Sequence, residues 1–185
     1  MVWNDKRISD WAQAGGVTPF DATCVNPASL DLRIGDLIRV PKHTWIHEYP
    51  EWRSREVIDK STPSEILWED ARGFDSYELI PGQFVLCHSM EYLRIPDDAV
   101  GTLYSKSSTG RIGLEHLHSG YFDCSFFGQA TFEFHNAAPW PIRLRPGDRF
   151  VQLRLEQMIG LPAKSYKETG RYNGQTGPTP AREKS

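Results

Sequence analysis

Cysteine is scarce in this sequence. Cys24, Cys87 and Cys124 are three in 185 residues, far apart, odd in number and without a C-x-x-C pair. That count argues against a disulfide framework and against a cysteine-rich zinc site, and it suits a reducing cytoplasm. Long apolar runs are missing too. No stretch approaches the roughly 18 apolar residues of a membrane helix, and the opening MVWNDKRISDW lacks the apolar segment of a signal peptide. Excess charge is also absent: 21 Lys and Arg against 24 Asp and Glu leave a net charge of -3. Binding duplex nucleic acid through bulk positive charge is therefore disfavoured, and phosphate contacts would have to come from a local pocket.

What is present is an ordinary globular composition, 39% hydrophobic and 24% charged, on a length that favours one domain. Such a chain buries roughly two-thirds of its unfolded surface, enough for a core without staples. In residues 5–14, DKRISDWAQA, Ile8, Trp11 and Ala12 fall at i, i+3 and i+4, which predicts a short N-terminal helix stopped by Gly15-Gly16. In residues 26–40, NPASLDLRIGDLIRV, Leu30, Leu32 and Ile34 alternate with Asp31 and Arg33, the period of a strand. Residues 41–76 lose that rhythm. Pro41, Pro50, Pro63, Trp45, Trp52 and Trp68 mark a long excursion, expected to hold local order and to pack on the surface or on a neighbouring subunit.

From Tyr77 onward strand signals and turns recur: ELIPGQFVLCH, EYLRIPDDAVGTLYS, GQATFEFHN, and WPIRLRPGDRFVQLRLEQM around Pro146-Gly147. A strand signal about every 8 to 12 residues predicts a mainly β sandwich or jelly roll, not βαβ units. The final KETGRYNGQTGPTPAREKS is too polar and too rich in Gly and Pro to build a core, and reads as a mobile tail.

Three constellations could carry chemistry. Ser105-Lys106-Ser107-Ser108-Thr109-Gly110-Arg111 puts small hydroxyl residues and a glycine where the backbone can close on an anion. Lys106 and Arg111 add charge, and a guanidinium grips phosphate through two bonds. The order of a Walker loop is absent, and the same composition also describes a solvated turn. In Ala130-Thr131-Phe132-Glu133-Phe134-His135-Asn136, period two puts Phe132 and Phe134 on one face and Thr131, Glu133 and His135 on the other. A carboxylate between aromatic neighbours on a half-buried strand is a candidate for a raised pKa and general-base work; facing water, it would be an ordinary strand charge. Asp123, after Gly120-Tyr121-Phe122, could bond a sugar hydroxyl, act as a second base, or close a turn on its own backbone. His43 with His47 and His116 with His118 have ligand-like spacing but no obvious third ligand. The H-x-E and P-C-x-x-C pattern by which zinc deaminases activate water is missing. No resident metal is expected.

Taken in order, NPASLDLRIGDLIRV, ELIPGQFVL, LYSKSSTGRIGL, GYFDCSFFGQATFEFHN, RPGDRFVQLRL and RYNGQTGPTPAR resemble the dCTP deaminase family of the dUTPase-like group, at similar spacing over nearly the whole chain. SKSSTGRIGL and YNGQTGPTPAR are specific to the deaminase branch. The Gly-rich, phenylalanine-bearing phosphate loop that ends the dUTPase branch is absent. The resemblance implies a distorted β-barrel or jelly-roll domain over residues 1–165, with an insertion near 41–76, and residues 166–185 as a mobile C-terminal lid. It also implies a homotrimer with active sites between subunits and Mg2+ carried in on the nucleotide triphosphate; charge and the lack of apolar runs already lead us to expect no nucleic-acid or membrane partner.

By position, Glu133 matches the family's catalytic glutamate, and Ser107 and Arg111 match residues that assist at the base and hold the nucleotide. Lys106 and Ser108 fall in the same phosphate-binding segment. Asp123 matches the aspartate at the deoxyribose, and Ser119 stands in the turn that abuts the base. Gln152, Tyr166, Arg171 and Gln175 match positions around the triphosphate. A closing tail would exclude water there and strengthen the charges beneath it.

The reaction so implied is hydrolytic deamination of dCTP to dUTP and ammonia. Glu133 takes a proton from a water that attacks C4 and returns it as ammonia leaves. Ser107 and Arg111 orient the glutamate and the water. Two positions depart from the family pattern. His118-Ser119-Gly120 stands where Thr-Ala-Gly is common, with one residue missing just before it, and this keeps a 5-substituted dCTP open as substrate. Arg171 stands where Lys is common, which keeps the charge but alters the geometry. Asp123 lies where dUTPases keep their base, so a bifunctional dCTP deaminase and dUTP diphosphatase is an alternative. A non-catalytic nucleotide-binding regulator is the alternative from another class.

Overall fold

The computed structural model describes residues 1–42, 58, 62, 64, 67–117 and 119–182. The expected N-terminal helix runs over Asp5–Trp11, with the Asn4 side chain accepting from the Arg7 N–H at 3.1 Å. That bond satisfies one of the donors a helix start leaves free. Ile8 and Ala12 are buried, as their spacing requires. The helix gives way to a wide turn over Ala12–Gly16, where Gly15 takes a φ of 92°, a conformation that costs glycine little.

The rest is mainly strand: β1 (Val17–Thr18), β2 (Val25–Asn26), β3 (Ser29–Leu32), β4 (Leu37–Ile38), β5 (Arg72–Gly73), β6 (Tyr77–Leu79), β7 (Phe84–Arg94), β8 (Ala99–Ser105), β9 (Leu114–His116), β10 (Tyr121–Phe122), β11 (Phe127–Asn136), β12 (Ile142–Leu144) and β13 (Val151–Gln157). One sheet has the order β1-β7-β11-β9, the other β10-β8-β13-β3-β2. Their inward residues merge into one core, Val85, Cys87, Phe132 and Phe134 from the first and Leu30, Leu32, Leu103 and Leu153 from the second. The chain crosses between sheets at the Pro96 turn, from β7 to β8. Among the described residues the sheets stay separate, so the expected jelly roll takes the form of a sandwich and no closed barrel forms.

Two local outcomes differ from a simple reading of the strand pattern, and a third meets it. Asp31, due to face outward from β3, is buried, because the Lys106 ammonium and the Asn26 amide, the latter at 2.8 Å, both donate to it. The Pro81-Gly82 turn separates β6 from β7 without pairing them. β6 pairs instead with β12, Leu79 opposite Ile142. The excursion is anchored at its described ends, with Trp68 bridged to Pro41 and lying 5.4 Å from the Phe84 ring, and β5 paired with β4. Trp45, Trp52, Pro50 and Pro63 lie outside the described residues.

The tail docks along β11. Gln129 N–H donates to the Gln175 carbonyl (3.0 Å), and the Gln175 side chain returns a bond to the Gln129 carbonyl (2.7 Å). Gly177 N–H donates to the Gln129 side chain (2.8 Å), and Thr179 N–H to the Thr131 hydroxyl (3.2 Å). Backbone bonding to a strand edge thus orders a segment with too few apolar groups for a core. No helix among the described residues is long and apolar enough to cross a membrane.

Candidate active site

β11 sorts its side chains as period two demands. Phe132 and Phe134 are fully buried, while Thr131, Glu133 and His135 are partly exposed. Glu133 lines a pocket of about 630 Å³ together with Ser119, Phe122, Phe126, Tyr166 and Gln175. That volume lies within the usual range for small-molecule sites, mostly apolar with a few placed polar groups. Trp68, Leu67 and Ile58 of the excursion supply part of the wall, and the docked tail supplies Thr179 and Pro180.

Burial pushes the Glu133 carboxyl above the ordinary glutamate range, and the Ser119 hydroxyl beside it draws it part of the way back. A carboxylate so placed is a better proton acceptor than one in water. Among the described residues its Oε2 makes no hydrogen bond. The His116 Nε2 lies 3.5 Å from that oxygen.

The remaining candidates divide. Ser119, Tyr166 and Gln175 share the pocket with Glu133. Asp123 lines a smaller pocket of about 290 Å³ with Lys164, and Tyr121 and Tyr166 line both. Ser107, Ser108 and Arg111 are exposed on a short helix, Ser107–Arg111, that does not line the Glu133 pocket. Lys106 is bonded to Asp31, and the Gln152 side chain accepts from the Ser29 hydroxyl at 2.9 Å on the other sheet. Arg171 is exposed, donating to the Arg182 carbonyl at 3.3 Å. No three His, Cys, Asp or Glu side chains gather as a metal site among the described residues; His43, His47 and His118 lie outside them.

Two contributors have signals that sequence reasoning passed over. His116 shares the inward phase of Leu114 on β9, so it was due to be buried. Gln129, on β11 with Glu133, fastens the tail over the pocket. The excursion's contribution had no readable signal, since it depends on where that segment folds back.

Residues 2–158 match the family model described as dCTP deaminase-like. The chain is 38% identical, over 98% of its length and 96% of the relative, to a Rhodococcus opacus protein named dCTP deaminase, dUMP-forming. A Mycolicibacterium vanbaalenii protein of the same name is likewise 38% identical, over 98% of this chain and 95% of its own. In fold, the chain is similar to the 2'-deoxycytidine 5'-triphosphate deaminase from Agrobacterium tumefaciens, with a TM-score of 0.65 and 22% identity over 91% of this chain and 53% of that one. This chain therefore belongs to the dCTP deaminase-like family.

Proposed function

We propose that this protein is an enzyme that deaminates the cytosine ring of dCTP, taken as its Mg2+ complex, with Glu133 as general base. The observation that carries the proposal is a carboxylate raised by burial, on the wall of a nucleotide-sized pocket, in a chain that belongs to this family. Glu133 takes one proton from the attacking water as its oxygen bonds to C4. That proton passes to the amine, which leaves as ammonia, and the second water proton ends on N3 as the C4 carbonyl forms. Ser107 and Arg111 of a neighbouring subunit in a homotrimer complete the site, and Lys106 and Ser108 travel with the same turn. Ser119 meets the base, Asp123 the sugar, and Gln152, Tyr166, Arg171 and Gln175 the phosphates.

The main sequence expectation ends at dUTP, with a bifunctional dCTP deaminase and dUTP diphosphatase as its alternative. The relatives' name, dUMP-forming, favours a second step in which water displaces pyrophosphate from dUTP. The adjoining pocket, lined by Asp123 and Lys164, offers a carboxylate and an ammonium for that chemistry. The test is incubation with dCTP, dCMP, deoxycytidine, dUTP and 5-methyl dCTP, with assays of ammonia and pyrophosphate. Ammonia from dCTP is expected; dCTP binding without ammonia would favour a regulator. Pyrophosphate from dCTP or dUTP would establish the second step, and faster turnover of 5-methyl dCTP would shift the substrate.

A further inference from the structure

We propose that His116 is a positioning residue for Glu133: its imidazole anchors the carboxylate through Oε2 and leaves Oε1 to handle the proton of the attacking water. The proposal rests on the deaminase reading of Glu133. His116 sits opposite Phe134 in the β9–β11 register, and the next residue, Leu117, donates its N–H to the Glu133 carbonyl at 3.0 Å. The end of β9 is thereby fixed to the residue that bears the carboxylate. The His116 side chain is fully buried, and its ring is set edge-on against Phe132 (5.9 Å, 76°) and Phe134 (6.0 Å, 71°). With the ring packed in this way, Nε2 stands 3.5 Å from Glu133 Oε2. Such contacts are often long before substrate binds and tighten in the working complex.

Among the described residues, two neighbouring polar groups have other contacts or approach the carboxylate from another side. Glu115 of β9 pairs with His135 of β11 at 3.1 Å, and the Ser119 hydroxyl approaches the Glu133 carboxylate. Position 116 shares its phase with the fully buried Leu114, and packing alone would be served by an aliphatic side chain there. A buried imidazole costs solvation that an aliphatic does not, which makes its placement against a pocket carboxylate informative. A glutamate free to rotate about its last torsion presents either oxygen to the water. Fixing one oxygen removes that misalignment, and errors of about 1 Å cost on the order of a hundredfold in rate.

His116→Phe keeps a ring between the two phenylalanines and removes Nε2, whereas His116→Gln retains an N–H donor of similar reach. H116F should melt near wild type and lose about ten- to a hundredfold in kcat on dCTP with KM little changed, while H116Q keeps most of the turnover. The Glu133 carboxyl, followed by 13C NMR, should titrate at higher pH in H116F, because its ionised form has lost a donor. Unchanged turnover with an unmoved titration in H116F would overturn the proposal. So would equal losses of turnover and melting temperature in both variants, which would mark a packing role. Should H116F not fold, the wild-type protein decides: coupled titration of the Glu133 carboxyl and the His116 ring supports the pair, and independent titration removes it. The NMR readout needs no turnover. A coupled pair in a protein that releases no ammonia would sink the deaminase reading alone, and an uncoupled pair in an active enzyme would sink this proposal alone.

Discussion

Replacing Glu133 with glutamine preserves the size and reach of the side chain and removes its capacity to take a proton. A positioned general base contributes about 10²–10⁴ in rate, so kcat on dCTP should fall by that factor, or about 3–5 kcal/mol of barrier, while nucleotide binding persists. Stability should move the other way. Burial holds the Glu133 carboxyl above its ordinary range, so the unfolded chain releases this proton at lower pH than the folded protein does. The wild type therefore loses stability as pH rises from the ordinary glutamate range through the folded value. The side chain is 24% exposed, so solvent screens only part of the cost. At pH 8 the variant should be more stable by on the order of 1 kcal/mol, about 2–4 °C in melting temperature for a chain of this length, and the gap should close toward pH 4. Thermal melts at both pH values, with ammonia release at saturating dCTP, read the two effects. Full turnover would remove Glu133 from the mechanism. A variant that melts below wild type at pH 8 would show that the buried carboxylate stabilises the fold, contrary to the desolvation argument.

Three further perturbations probe what holds the site. His88 Nε2 accepts the Leu37 N–H at 3.2 Å, and Nδ1 lies 2.8 Å from the Ser89 carbonyl. His88→Phe should cost about 1–3 kcal/mol at pH 7 by leaving that N–H unpaired. Burial lowers the His88 pKa, so its contribution is present above the ordinary histidine range and is lost as pH falls; urea melts should show the gap narrowing toward pH 5. Gly35→Ala would set a Cβ 2.1 Å from the His88 ring, which its two bonds hold in place, and should destabilise by about 1–3 kcal/mol in the same assay. Gln129→Ala removes the partner of Gly177 N–H, so trypsin should cut faster after Arg171 and KM for dCTP should rise; an unchanged cleavage rate would mean that the tail is held by other contacts.

Much of the strand content was legible because period two and turn residues are local. Leu30, Leu32, Phe132 and Phe134 are buried where alternation places them, and Glu133 follows from the same count. Partnership was not legible. β6 passes over its neighbour β7 to join β12, and β8 joins β13, because long-range pairing is decided by which faces bury together, not by the turn between neighbours. Asp31 shows the same limit at one residue: its burial depends on Lys106, distant in sequence and drawn to it by charge. The tail is a third case. Its composition is too polar for a core, yet Gln129 offers it hydrogen bonds along β11, and a distant glutamine leaves no mark in the tail's own sequence.

The most consequential mismatch concerns Ser107 and Arg111. The family resemblance puts them at the reacting base, yet they stand on an exposed helix and do not line the pocket that holds Glu133. Both statements hold if the helix of one copy completes the pocket of the next, as the trimer expected from the sequence would require. Mixing separates this from a site built within one chain. Glu133→Gln and Arg111→Ala proteins should each be nearly inactive alone. Refolded together at equal ratio into a closed symmetric ring, about a quarter of the interfaces would join an intact Glu133 to an intact Arg111, and about a quarter of wild-type ammonia release should return. A site made within one chain predicts no recovery at any ratio, since every chain then carries one defect. Absence of recovery, with subunit exchange confirmed by mass spectrometry of tagged chains, would remove Arg111 from its shared role and leave its exposed helix without a catalytic explanation.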